Sequence, residues 1–513
     1  MTDLLLRQAK LVPLGAPRDV RAPKADEPQD ILIRDGQIAS VGKSLEPTPE
    51  SFIVDAEGRW VMPGLWDQHV HMTQWSLSLN RLDTSGVSSP QDTLDLVQAA
   101  IARGEANTPT GFLTGWGHRS AQWERQPNVA ELDAVTGSVP VVLISGDGHH
   151  GWLNTAALQR LGIPLRDGII EEDEWFDVYA LLDGLPGATA EAEAGVQLAV
   201  DVARRAGVVG IVDLEFSGSW EQWPLRFAAG CGPFRVRTGV YAGRFPEILA
   251  TGRRAGEVIP GSDGWATQGP LKLISDGSLN TRTAWCCSPY AGAEHLAYPL
   301  GRPNFSKEQM LDLVAQAHQA GLHTALHAIG DAAVASALDV FAATGATGSI
   351  EHAQLLQLAD LPRWAKLPVT ASVQPAHLLD DRSVTEQCWP DRTDRTFMVR
   401  GLLDQGIKVA LGSDAPVAAL DPWLAMSSAV HRGEPGAPAW HPEQALSVHQ
   451  ALAASVDGQR VRPGDRGDVI LLDQDPLAPG DASEQAAALR SMAVAGTVIG
   501  GHVRGPLAAA VQG

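Results

Sequence analysis

Cysteine is scarce: the 513-residue chain has four, and two of them, Cys286 and Cys287, are adjacent. That number and spacing exclude a disulfide framework and a CxxC metal knuckle, and they suit a reducing compartment. Basic residues are also few, 39 Lys and Arg against 60 Asp and Glu, for a net charge of −21. Neither nucleic acid nor an anionic membrane surface is therefore an expected partner. There is no apolar run of about 18 residues, the length that spans a bilayer. The short apolar start MTDLLLRQAK is broken by Arg7 and Lys10. The expectation is a cytoplasmic protein with neither membrane span nor secretory signal.

What is present reads as a globular protein, 44% apolar and 19% charged. The length exceeds one compact domain of ordinary size, so a large barrel with a further unit is expected. Both ends are β-rich: LLLRQAKLV, DILIRDGQIASVG with an Asp35-Gly36 turn, and FIVDAEGRWV at the start, DVILLDQDP and MAVAGTVIGGHVRG at the finish. Residues 1–62 and 425–513 are expected to meet in one small composite β-sandwich.

Between them strand and helix alternate, the pattern of an α/β-class (β/α)8 barrel. In one unit Ser306 and Gln309 make a capping box, Met310, Leu313, Val314 and Ala317 line one helical face, Gly321 stops the helix, and LHTALHAIG follows as a buried strand. GVVGIVDLEF, PFRVRTGVY, GPLKLISDG, SIEHAQ, PVTASVQP, IKVALGSD and the strand ending at His69 bring the set to eight. The barrel takes residues 63–75 and 206–424. Residues 76–205 are too many for one crossover helix and carry their own strands, GFLTGWG and PVVLISGDG. They read as an inserted α/β subdomain capping the barrel mouth.

Polar residues at the ends of these strands form an ordered set: His69 and His71 in PGLWDQHVH, Lys272 in GPLKLISDG, His327 in TALHAIGD, His352 in SIEHAQ and Asp414 in ALGSDAP. Barrel active sites are built at that end of the strands. Two His at i and i+2 share a face, so His69 and His71 can hold one cation while Val70 faces away. Taken alone, such a pair equally suits an ordinary polar loop. Asp67 stands where it can orient an imidazole. Asp414 can ligate a cation and also accept a proton from water. Lys272 cannot ligate as an ammonium. It fits as a neutral amine or, after capturing CO2, as a carbamate able to bridge two metals; the plain alternative is an ion pair with Asp276 or another acid.

This ordered set resembles the amidohydrolase superfamily and, more narrowly, its YtcJ-like, amidohydrolase-3 branch that includes N-substituted formamide deformylases. PGLWDQHVHM, SGDGHHGWLNTAAL, LKLISDGSLNTRTA, LHAIGDAA, SIEHAQ, SVQPAHLLDD, LGSDAP and RGDVILLDQDP carry the likeness over most of the chain. The resemblance implies a divalent metal site, Zn above all, of one or two ions held by His69, His71, carboxylated Lys272, His327, His352 and Asp414. It also implies hydrolysis of an amide or N-substituted formamide C–N bond by metal-activated water, with Asp414 as proton shuttle. N/O donors by themselves do not choose among Zn, Fe, Mn and Ni.

For the substrate, the resemblance implies that the loop Gly148–Trp152 lines the pocket, where His149, ahead of His150, would bond the scissile carbonyl. The local alternative is the start of a capped helix at Asn154. Trp152, Arg282 as a partner for a carboxylate, and His377 after the seventh strand complete the expected substrate-binding group. Fifteen Trp against four Tyr, six of them beside motifs (Trp66, Trp75, Trp116, Trp152, Trp285 and Trp389), favour a small amide with an apolar or aromatic substituent. Deamination, or opening of a cyclic amide or lactone, would use the same centre. A barrel that kept its fold and lost its chemistry should lack one of the ligand segments, and all are present. A homodimer is the default for a large barrel.

Overall fold

The computed structural model describes residues 3–14, 27–49, 51–120, 123–146, 148 and 150–504. The chain forms two compact units, one of Met1–His71, Val200–Asp414 and Ala418–Gly513, the other of Met72–Ala199 with Ala415–Val417.

The first unit holds a sheet of eight strands in parallel pairing: β1 (Leu65–Val70), β2 (Val208–Asp213), β3 (Arg235–Tyr241), β4 (Ala266–Ile274), β5 (Thr324–Ala328), β6 (Gly348–His352), β7 (Val369–Val373) and β8 (Val409–Leu411). Helices alternate with these strands along the chain, so the strands are covered on both faces and read as near-continuous apolar runs; β2 is buried at every position. Beyond β8 the chain returns to β1, where the Asp414 N–H donates to the His69 carbonyl at 2.8 Å. Gly412 permits that approach, since a Cβ there would stand 2.9 Å from the His69 nitrogen. The sheet is thereby drawn into a (β/α)8 barrel.

The connecting helices begin and end where local chemistry says they should. Lys307–Gln319 starts on the reciprocal capping box of Ser306 and Gln309, buries Met310, Val314 and Ala317, and is followed by Gly321 at φ 75°. The chain then enters β5. Pro422–His431 starts on Asp421, whose side chain accepts the N–H groups of Trp423 and Leu424.

Strands from both ends of the chain build the β-sandwich of the same unit. Leu4–Leu11 pairs through its first half with Gln29–Arg34 and Phe52–Asp55, and through Lys10 and Leu11 with Trp60–Pro63. Trp60–Pro63 continues to Val469–Leu472, Val494–Ile499 and His502–Arg504. The shift between Leu6 and Ala9 is a bulge that lets one strand serve both halves. Leu4, Ile31, Val54, Val469 and Val498 share one buried core. Asp35 and Gly36, at φ 50° and 75°, close the hairpin as an Asp-Gly pair does in a two-residue turn.

The second unit has its own five-stranded sheet, from Leu82–Asp83 through Leu113–His118, Val141–Ser145 and His150–Leu153 to Ile170–Glu171. Two apolar clusters hold it, one around Trp175, Ile144 and Leu158, the other around Trp152, Leu143 and Leu132. Among the described residues no helix is long and apolar enough to cross a membrane.

Candidate active site

The carboxyl ends of β1, β4, β5, β6 and β8 converge. His69 and His71 have ring centroids 5.5 Å apart, His69 and His352 5.0 Å, and His327 and His352 4.5 Å. Asp414 Oδ1 lies 3.4 Å from His69 Nε2 and 3.3 Å from His71 Nε2. Lys272, only 1% exposed, places Nζ 3.4 Å from His69 Nε2. The six residues expected as ligands are thus brought to one end of the barrel.

Two of these residues hold strained backbone. His352 and Asp414 hold φ at 69° and 60°, a region that side chains other than Gly enter at about 1–3 kcal/mol each. The turn at His352 also breaks strand alternation, so that Glu351 and His352, neighbours in sequence, both reach His69. Glu351 Oε2 is 2.8 Å from His69 Nδ1, and its other oxygen accepts the Ser349 hydroxyl.

Asp67 takes a different position from the one its spacing suggested. Its carboxylate accepts main-chain N–H groups, from His69 at 3.0 Å and from Ser413 at 3.0 and 3.1 Å, and does not orient an imidazole. Asp276 does not pair with Lys272 either. It accepts the N–H groups of Trp285, Ile329 and Gly330 and sits 3.5 Å from His327 Nε2. Gly330 is required at that turn, because a Cβ would stand 2.0 Å from the Trp285 carbonyl oxygen. Burial pushes the Asp276 carboxyl up to about 7.

Electrostatics favour ligand-competent protonation states. Burial, reinforced by Lys272, holds His327 down at about 3 and His69 below its usual range, and burial with His327 holds His352 well below. For His71 burial acts the same way but is outweighed by contact with Asp414, which raises it. Burial alone would raise Asp414; His69, His71 and His352 around it hold it well below the carboxylate range instead. Burial lowers the Lys272 ammonium against the opposing pull of Glu351 and Asp414. Mostly neutral imidazoles beside an ionised carboxylate are the forms that bind a divalent cation.

The donor set fits such an ion. Ligand atoms of His69, His71 and Asp414 all lie within 4.8 Å of one another, as do those of His352, His377 and Asp414. Among the described residues, His71 Nδ1 and His377 Nε2 are buried without a hydrogen-bond partner. His377, expected at the substrate, starts the helix His377–Cys388 after β7, and its ring stacks on His352 at 6.3 Å. It stands closer to the ligands than its sequence position suggested.

The other expected substrate residues fare differently. His149 lies outside the described residues. His150 is half-buried in the inserted unit, with Nε2 2.8 Å from the Ser120 hydroxyl. Trp152 is 0% exposed in that unit's core and donates its indole N–H to the Asn128 carbonyl. Arg282, at φ 54°, is half-buried, and its charge acts on the Cys388 thiol, whose pKa burial nonetheless raises. Of the six Trp beside motifs, Trp66, Trp75, Trp152 and Trp389 are core residues. The aromatic residue beside the centre is one that pattern reading missed. Phe216, 50% exposed, stacks on His71 at 5.4 Å and on Tyr241 at 4.6 Å. Its signal in the sequence is its place at the end of the run GVVGIVDLEF, three residues beyond β2.

The eight-stranded parallel barrel thus gathers imidazoles and a carboxylate at its strand ends, a donor set suited to a divalent cation. The amidohydrolase family model matches residues 53–504, and the chain belongs to that family. Two relatives resemble it over nearly its whole length. The putative amidohydrolase YtcJ of Bacillus subtilis (strain 168) is 26% identical over 94% of this chain and 96% of its own. The N-substituted formamide deformylase of Arthrobacter pascens is 26% identical over 93% and 94%. The protein LONG AFTER FAR-RED 3 of Arabidopsis thaliana is 28% identical over 85% of this chain and 80% of its own. The crystal structure of a metal-dependent hydrolase from Pyrococcus horikoshii OT3 has the same fold, with a TM-score of 0.79, 23% identity, and coverage of 93% of this chain and 99% of that one.

Proposed function

We propose that the protein hydrolyses the C–N bond of a small N-substituted formamide or related amide at a centre of one or two divalent ions held by His69, His71, His327, His352, Asp414 and Lys272. The observation that carries this reading is a pair of groups that share Asp414, His69 with His71 and His352 with His377, whose ligand atoms lie within 4.8 Å of one another in each group. The deformylase relative supports the choice of bond. Zinc suits imidazole and carboxylate donors in a closed barrel end.

When bound, a divalent cation polarises the carbonyl and brings the pKa of water down to about 7. The remaining work belongs to side chains of this chain. Asp414, ionised and buried, accepts a proton at Oδ and returns it to the departing nitrogen, which must leave as an amine. Lys272, whose ammonium is disfavoured by burial, offers an amine that adds to CO2 with loss of one proton. The carbamate so formed is an anionic oxygen donor where the unmodified ammonium would repel the ion. His377, stacked on His352, stands ready to hydrogen-bond the carbonyl oxygen. Phe216 presents a half-exposed ring beside His71, which favours a substrate with an apolar or aromatic group on nitrogen.

A panel of N-substituted formamides, N-acyl amines, cyclic amides and aminated heterocycles, incubated with zinc-loaded protein, tests the reading. Release of formate or carboxylate together with free amine is expected. Ring opening or ammonia release alone would instead assign the cyclic-amide or deaminase reaction.

A further inference from the structure

We propose that Glu351 is a positioning residue for the metal centre: it fixes the tautomer and ring orientation of His69 and so sets how tightly the ion is held. The inference rests on the metal-binding reading above. It does not depend on which amide is cleaved.

The two nitrogens of His69 face different groups. Nδ1 lies 2.8 Å from Glu351 Oε2, whereas Nε2 looks toward Asp414 Oδ1 and Lys272 Nζ, each at 3.4 Å. A neutral imidazole carries one N–H, and an ionised carboxylate only accepts. Glu351 therefore places the proton on Nδ1 and leaves the lone pair of Nε2 turned toward the ligand shell. The Ser349 hydroxyl donates to the other carboxylate oxygen, so Oε2 remains for His69. His69 and Glu351 are 1% and 2% exposed, and water does not compete for this bond. Without it the ring is free to rotate or to carry its proton on the wrong nitrogen.

Two buried carboxylates thus share the work on His69. Asp67 holds its main chain and that of Ser413, and Glu351 holds its ring. Partners of this kind, behind a metal ligand, typically alter affinity by about 10- to 100-fold when removed.

The test is titration of the metal-stripped full chain with zinc against a competing chromophoric chelator. Glu351→Ala is expected to weaken zinc binding about 10- to 100-fold. Glu351→Gln, which keeps an acceptor oxygen in the same place, is expected to weaken it less. In a His69→Ala background, Glu351→Ala is expected to produce no additional loss, because the side chain through which Glu351 acts is gone. Unfolding midpoints of the metal-free proteins report the fold separately, and Glu351→Gln carries the comparison if the alanine variant does not fold. Wild-type affinity in both single variants, or an equal further loss in the His69→Ala background, overturns the proposal. A wild-type chain that binds no zinc, iron, manganese or nickel overturns the metal reading itself.

Discussion

Asp67 and Ser413 are joined across the barrel seam: both oxygens of the Asp67 carboxylate accept the Ser413 main-chain N–H, at 3.0 and 3.1 Å. Because Asp67 also accepts the His69 N–H, one buried side chain holds the first strand, the last strand and two ligand-bearing turns together. Replacing it by Ala removes the acceptor that these two main-chain N–H groups share. Asp67→Ala is expected to destabilise the protein by about 3 kcal/mol, read by urea unfolding, and to lower its metal content. An unchanged midpoint would show that other contacts hold the seam.

Asp414 is the ionised acid of the centre, so its charge and its proton-accepting capacity can be removed together with little change of shape. In Asp414→Asn, metal content by elemental analysis should survive in part, while amide turnover falls by at least about 100-fold. Near-normal turnover would remove Asp414 from the proton path.

Lys272 is buried beside His69, and its state decides whether an anionic donor is available there. Protein exposed to carbon-labelled bicarbonate should acquire a carbamate carbon signal that is absent from Lys272→Met, and that variant should bind less metal. A signal equally strong in Lys272→Met would locate the label elsewhere and leave Lys272 as an amine.

Phe216 offers substrate the free part of a ring already stacked on His71 and Tyr241. Phe216→Ala is expected to raise KM for an N-aryl formamide about tenfold, the equivalent of burying one apolar group, with little change for N-methylformamide. Equal effects on both substrates would deny the ring a role in selection.

Asp457 ties the barrel to the sandwich strands. It accepts both Arg237 amines and one from Arg466, and Gln68 adds a fourth hydrogen bond. Burial would raise this carboxyl, but Arg237 and then Arg466 outweigh it and depress it below its usual value. A depressed carboxyl contributes stability above its unfolded pKa, about 4, and the contribution is lost as pH falls through the folded value. Asp457→Asn, which Asn can accommodate at the local φ of 51°, should cost about 2 kcal/mol at pH 7. The gap from wild type should close as pH falls below about 4. A gap independent of pH would mean that shape, not charge, matters at this position.

Much of the architecture is written in local pattern. The capping box at Ser306, the turn at Asp35-Gly36 and the apolar strands ending in polar residues each depend on neighbours a few positions away. For that reason the sequence alone marks His69, His71, Lys272, His327, His352 and Asp414 as polar residues at strand ends. The same locality misled at Trp152, where a Trp beside a polar motif looked like a pocket wall and is core.

The residues that pattern did not disclose act across distance. Glu351 meets His69 from 282 positions along the chain, and Asp67 meets Ser413 from 346. Neither contact follows from periodicity, because each depends on how strands at opposite ends of the sequence are set in register when the barrel closes. Phe216 and His377 likewise acquire meaning only beside His71 and His352. The chain's own order of residues determines which groups stand at the strand ends and what they can ligate. Closure of the barrel determines which nitrogen of His69 carries the proton and which carboxylate holds ring or main chain, since burial and partner geometry do not exist until the strands meet.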